Sequence, residues 1–195
     1  MKKITILISG SSGFLGSYLF NYFLENGYRV IAIKRSTSDM KRVDSMSKKA
    51  VFYNVDKVTL QTIFERHEID IVINTATSYG RSENSLLPML DANLIFGVEL
   101  LERAVSNNVK AFLNIDTLLN HNVSAYALSK SQFVEWMHLL PRKNTKIINV
   151  KIEHMYGPKD NKSGFVGWLI NQLKEDVCEV NLTSGIQKRN FIYMS

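Results

Sequence analysis

Cysteine is almost absent from this 195-residue chain. A lone Cys178 permits no internal disulfide, and the four histidines, His67, His121, His138 and His154, fall at no metal-ligand spacing, with His154 the one nearest a motif of interest. Long apolar runs are missing as well, far short of the ~20 residues that a membrane-spanning helix needs. The N-terminus has Lys2 and Lys3 but only a short apolar stretch behind them. Ile4 to Ile8 is interrupted by Thr5 and followed by Ser9-Gly10, which suits a buried strand better than a signal peptide. These absences point to a cytoplasmic protein. No Lys/Arg run or aromatic-basic interleaving appears either, so the net charge of +6 argues poorly for nucleic acid. Binding of polyanionic small molecules accounts for it equally well, as does solvated surface.

What is present is an alternation of strand-like and helix-like segments, the pattern of a parallel sheet covered on both faces. Strands are expected at Ile4–Ser9, Arg29–Lys34, Val51–Val55, Ile69–Asn74, Ala111–Ile115 and Lys146–Lys151. Helices are expected at Phe14–Asn26, Thr59–His67, Pro88–Asn107 and Tyr126–Leu139, the third with Leu90, Leu94, Val98 and Leu101 on its inner face. The polar stretch Arg35–Lys49 reads as a short helix or loop. Near-continuous apolar strands need cover on both sides, so the fold class is α/β, a Rossmann-type doubly wound parallel sheet.

Between the first strand and the first helix lies Gly10-Ser11-Ser12-Gly13-Phe14-Leu15-Gly16. Such a loop is where these folds bind pyrophosphate: Gly10 allows the tight turn, Gly13 the approach of backbone to phosphate, and Gly16 close helix–strand packing. A bare glycine triplet also marks ordinary turns; its place directly after a strand and before an amphipathic helix selects the binding reading. At the end of the second strand, where NAD-preferring folds usually carry an acid, the chain has Lys34-Arg35-Ser36, with Arg35 about 20 residues after the glycines. A guanidinium there can grip a 2′-phosphate, so NADPH is expected over NADH, against the alternative of a solvated basic pair.

Tyr126-Ala127-Leu128-Ser129-Lys130 places a tyrosine and a lysine four residues apart on one helix face. A phenol with a pKa near ~10 is a poor acid or base at neutral pH, and a nearby ammonium lowers it towards the working range. Thr117, nine residues earlier at a strand end, supplies a hydroxyl for the same reacting oxygen. Alone, Y-x-x-x-K is common by chance; behind a strand–glycine-loop–helix it reads as catalytic.

Gly10–Gly16, Tyr126/Lys130 and the later Tyr156-Gly157-Pro158 together resemble the NAD-dependent epimerase/dehydratase family of extended short-chain dehydrogenases. Within it, segments 75–80, 112–117 and 151–158 are similar to those of CDP-abequose and CDP-paratose synthases, NADPH-dependent 4-ketoreductases of CDP-linked deoxy sugars that serve O-antigen synthesis. The resemblance implies Tyr126 as acid/base, Thr117 as its hydrogen-bonding partner and Lys130 on the nicotinamide ribose. It implies cofactor contacts from Gly10, Ser12, Gly13, Phe14, Leu15, Gly16, Arg35, Asp56 (near the adenine) and Ala76, with NADP first and NAD second. Tyr79 and Arg189 fall to the nucleotide-sugar substrate, Arg189 at its pyrophosphate; Asn93 is structural, and the family suggests a homodimer. The chain departs from the family in a short Thr117–Tyr126 segment, in Asn190 where aspartate is commoner, and in stopping at Ser195. Residues 1–175 are therefore expected to form the nucleotide-binding domain and 176–195 the start of a substrate lobe that is largely missing.

Two other readings stay open. An epimerase or dehydratase on the same scaffold would hold NAD tightly; Leu118-Leu119 after Thr117 offers no acidic pair for elimination, and Lys34-Arg35 counts mildly against an epimerase. A non-catalytic NADP-binding sensor or remnant fits the early stop, but has no physical need for Thr117, Tyr126 and Lys130 together.

Overall fold

The computed structural model describes residues 2–43, 48–80, 85–140, 144–160, 164–186 and 188–194. Six strands form one sheet: β1 (Thr5–Ser9), β2 (Arg29–Lys34), β3 (Val51–Asn54), β4 (Ile71–Asn74), β5 (Ala111–Thr117) and β6 (Lys146–Ile152). Their order is β3-β2-β1-β4-β5-β6, with parallel pairing of β1 to β2 and β4, β2 to β3, and β4 to β5. Strand order reverses between β1 and β4, so a crevice opens at their carboxyl ends, the place where such sheets bind ligands. All five residues of β1 are buried, as expected of a central strand covered on both sides.

The helices are α1 (Phe14–Glu25), α2 (Leu60–Arg66), α3 (Leu87–Leu90), α4 (Phe96–Ser106) and α5 (Ala125–Leu139). Alternate strand residues feed two cores. Leu7, Ile31, Val72 and Phe112 pack with Ile63, Leu100, Leu101, Phe133 and Met137 of α2, α4 and α5. On the opposite face Ile6, Ile8, Val30, Ala32 and Ile73 meet Phe20 of α1 and Val43. Burying each large aliphatic or aromatic side chain contributes about 1.5–3 kcal/mol, which offsets the ordering of the chain. Thr59 caps α2 by accepting from the Thr62 amide, and Ser124 caps α5 by accepting from that of Ala127, at 3.1 Å.

The helix expected over Pro88–Asn107 is not uniform. A π-helical turn, Asp91–Ile95, separates α3 from α4. The helix's inner face is displaced by one residue from the expected Leu90, Leu94 and Val98, which are only partly covered; Met89, Asn93, Gly97, Leu100, Leu101, Ala104 and Val105 are the buried positions. Four-residue steps overshoot a regular turn by about 40°, and the wider π turn absorbs that drift. The other expected elements are found with ends shifted by one or two residues. Arg35–Lys49 contains no α-helix among its described residues, and 44–47 lie outside them.

The chain divides into two compact units, Met1–Lys151 and Ile152–Ser195, earlier than the 175/176 boundary set from sequence. The second unit holds β7 (His154–Tyr156), α6 (Phe165–Lys174) and β8 (Phe191–Tyr193). β7 and β8 pair in parallel, and the Met194 amide donates to the Tyr156 carbonyl at 2.9 Å. Phe165, Trp168, Phe191, Tyr156 and Tyr193 form a chain of ring contacts within it. None of its described residues is fully buried. Among the described residues, no helix is long and apolar enough to cross a membrane.

Candidate functional site

The glycine loop lies at the carboxyl end of β1, in the crevice. Gly10 takes φ +65°, a left-handed conformation that a side chain strains, and a Cβ there would meet the Ala76 backbone at 2.8 Å. At Gly16 a Cβ would lie 2.2 Å from the Gly10 carbonyl oxygen and 2.7 Å from Thr75 Oγ1, so α1 approaches β1 and β4 as only glycine allows. Gly13 is the N-cap of α1; its amide donates to the Gly10 carbonyl at 2.9 Å, and no side chain caps the helix. An uncapped helix start of 12 residues, approached through backbone alone, suits a pyrophosphate. Phe14 opens the helix, its ring edge-on to Tyr18, while Ser12 and Leu15 are partly buried beside it.

Tyr126 and Lys130 stand on α5, and Thr117 ends β5. The Thr77 and Thr117 hydroxyls act on the Tyr126 phenol, and its ring lies 4.7 Å from that of Tyr79. Burial, above all, then Tyr79 and the Asp116 charge push the Tyr126 phenol up to about 12, while the two threonine hydroxyls pull it down. Lys130 is 2% exposed and its Nζ donates to the Ile115 carbonyl at 2.7 Å. Burial pushes it down to about 8, opposed by Asp116. The sequence argument expects a tyrosine lowered towards neutrality by its lysine; the structure gives one raised, because desolvation of the phenolate outweighs its hydrogen bonds. In this state Tyr126 is a protonated donor.

Asn93, on the π turn, fixes the floor of the site. Its amide pairs with both backbone groups of Ser78: Oδ1 accepts from the N–H at 2.7 Å, and Nδ2 donates to the carbonyl at 2.8 Å. Nδ2 also donates to Ser129 Oγ at 3.0 Å, and Thr77 Oγ1 donates to Oδ1 at 3.1 Å. Asn93→Ala leaves partly buried backbone groups of Ser78 without these partners. We expect it to cost ~2 kcal/mol in a urea-melt comparison, with the denaturant slope unchanged.

The remaining sequence-derived residues are distributed as follows. Arg35 is exposed just after β2, its amide donating to Ser38 Oγ at 3.2 Å. Asp56 accepts from both the amide (2.8 Å) and the hydroxyl of Ser36, bonds that hold its carboxyl below the usual range. An acid therefore does stand at the end of β2, supplied from beyond β3 rather than by β2 itself. Ala76 follows β4, its amide donating to Ser9 Oγ at 3.2 Å. Arg189 belongs to the second unit, where it is exposed; His154 stacks on Phe191 there. Sequence reasoning missed Thr77, whose hydroxyl pulls the Tyr126 phenol down, and Asp116, whose charge acts on both Tyr126 and Lys130. The signal for Asp116 is the one acid in a strand paired inside the sheet.

A profile of the NAD dependent epimerase/dehydratase family matches residues 6–195. CDP-abequose synthase from Salmonella typhimurium is 29% identical over 203 residues, covering 98% of this chain and 67% of that protein. dTDP-4-dehydro-6-deoxyglucose reductase from Escherichia coli is 25% identical, covering 100% of this chain and 70% of that one. Among solved structures, UDP-glucuronic acid 4-epimerase from Bacillus cereus, in complex with UDP-glucuronic acid and NAD, matches with a TM-score of 0.83 at 22% identity, over 98% of this chain and 69% of that one, a likeness of fold. The chain spans about two thirds of the length of the curated relatives it matches.

Proposed function

Since the chain belongs to the NAD dependent epimerase/dehydratase family, we propose that it is the nucleotide-binding part of an NADPH-dependent reductase acting on the 4-keto group of a nucleotide-linked deoxy sugar, with CDP as the nucleotide. The observation that carries this reading is the placement of the Tyr126 phenol and the buried Lys130 on α5, with Thr117 at the end of β5. Carbonyl reduction needs a proton donor at the start of the cycle, whereas oxidation of a sugar hydroxyl needs a base. The similarity to a CDP-abequose synthase and a dTDP-4-dehydro-6-deoxyglucose reductase supports the same direction.

The Gly10–Gly16 loop and the start of α1 would hold the pyrophosphate of the cofactor, Ala76 would line it, and Arg35 would take its 2′-phosphate. A bound nicotinamide supplies the hydride to the carbonyl carbon. Thr117 Oγ1 would orient the carbonyl oxygen, and Tyr126 Oη would hand that oxygen its proton. Lys130, its ammonium pushed down to about 8 by burial, would help restore the proton of the phenol. Tyr79, packed on the Tyr126 ring, would form a wall of the sugar site, and Arg189 would meet the substrate pyrophosphate.

The test is a fluorescence titration with NADPH and, separately, NADH, followed by turnover with 4-keto sugar nucleotides. We expect NADPH to bind more tightly. Arg35→Ala should cost about tenfold in NADPH affinity and leave NADH within twofold; an unchanged ratio would remove Arg35 from the cofactor site. The Ser36–Asp56 pair favours a second reading, an NAD-linked epimerase, because an acid beside β2 can accept from a ribose 2′-hydroxyl. Protein that purifies already loaded with NAD would select it.

A further inference from the structure

One row of polar side chains crosses the sheet just beyond its apolar layer. Ser9, Asn74 and Asn114 are register partners on β1, β4 and β5, and Asn149 continues the row on β6. Ser9 Oγ donates to Asn74 Oδ1 at 2.6 Å, and Asn74 Nδ2 to Asn114 Oδ1 at 3.2 Å. Asn114 Nδ2 donates to Asn149 Oδ1 at 2.8 Å, and Asn149 Nδ2 to Asp116 Oδ2 at 2.8 Å. Ser9, Asn74 and Asn114 are at most 2% exposed and Asp116 is 7% exposed.

The direction of this chain is fixed from both ends. At one end Ser9 Oγ already accepts from the Thr75 and Ala76 amides, each at 3.2 Å, so its only proton must go to Asn74. Each amide must then turn its oxygen towards Ser9 and its nitrogen onwards. At the other end a carboxylate can only accept, which demands the same orientation. No amide in the row can be flipped without setting two donors or two acceptors against each other.

A buried row that merely needed satisfied partners has no reason to end on a carboxylate whose chain neighbours are Ile115, the acceptor of Lys130 Nζ, and Thr117. We infer that Asp116 is a positioning residue for Tyr126 and Lys130, and that the one-way row from Ser9 through Asn74, Asn114 and Asn149 is what aims it. The row begins on backbone amides of the loop expected to line the cofactor and ends beside the reacting groups, joining the two halves of the site through side chains. This rests on Tyr126 and Lys130 being that pair. The groups around them are Tyr79 from the loop after β4 and Asp116 from β5; Lys151 of β6 and His121 share with Asp116 a cavity of about 280 Å³.

Asp116 favours the protonated form of both Lys130 and Tyr126, so removing its charge lowers both midpoints. The decisive measurement uses no substrate: a pH titration of the Lys130 Cε resonance in ¹³C-lysine-labelled full chain, assigned by its loss in Lys130→Arg. Asp116→Asn keeps an acceptor for Asn149 and should move the midpoint down by about half a pH unit or more. Asp116→Ser removes the charge with a smaller side chain and serves if the asparagine variant does not fold. A folded variant with an unmoved midpoint overturns the inference, whatever its melting temperature. Failure of the reductase reading shows separately, as wild-type protein that turns over no 4-keto sugar nucleotide.

Discussion

Tyr126→Phe should lower reductase turnover by about a thousandfold while NADPH affinity stays within twofold. The substitution removes one oxygen and leaves the ring, so the 4.7 Å contact with Tyr79 and the packing of α5 persist. Thr77 keeps its bond to Asn93 and Thr117 its acceptance from the Leu119 amide, so the variant should melt within a few degrees of the parent. What disappears is the proton donor. Single-turnover hydride transfer, followed by loss of NADPH fluorescence, separates this from a binding defect. A variant keeping more than about a tenth of the rate would show that another group protonates the sugar oxygen.

Gly16→Ala should abolish NADPH binding and lower stability by about 3 kcal/mol, which for a chain of this size is about 10 °C in melting temperature. The added methyl would sit 2.2 Å from the Gly10 carbonyl oxygen and 2.7 Å from Thr75 Oγ1. Neither neighbour can retreat freely: the first accepts from the Gly13 amide at 2.9 Å, and the second donates to the Ser9 carbonyl at 2.6 Å. Relief requires α1 to lift from the sheet, which displaces the helix start that would hold the pyrophosphate. Normal NADPH binding in the variant, read by the same fluorescence titration, would place the cofactor elsewhere.

The strands and the glycine loop are legible in the sequence because local pattern decides them. β1 and β4 are short, apolar and bounded by polar residues, and the loop follows the first strand directly. Tyr126 and Lys130 are legible because one helix carries both. Three things escape. The π turn depends on a tertiary demand, that Asn93 reach Ser78 and Ser129 while Leu100 and Leu101 stay in the core. Tyr126's raised midpoint depends on burial, which the Y-x-x-x-K spacing does not contain. The polar row needs the register of four strands, and its members read singly as isolated polar strand residues. The second unit was less legible still, for β7 and β8 are three residues each and 34 positions separate their nearest ends.

The π turn at Asp91–Ile95 makes this segment intolerant of a change in length, beyond its need for the Asn93 side chain. Deleting one residue there would restore an ordinary α-helix, but at about 100° per residue it would swing Leu87–Leu90 around the axis relative to α4. Met89 would leave its place against Gly80, or Asn93 would leave Ser78. The segment can therefore shed the extra residue only by giving up one of its two anchorages.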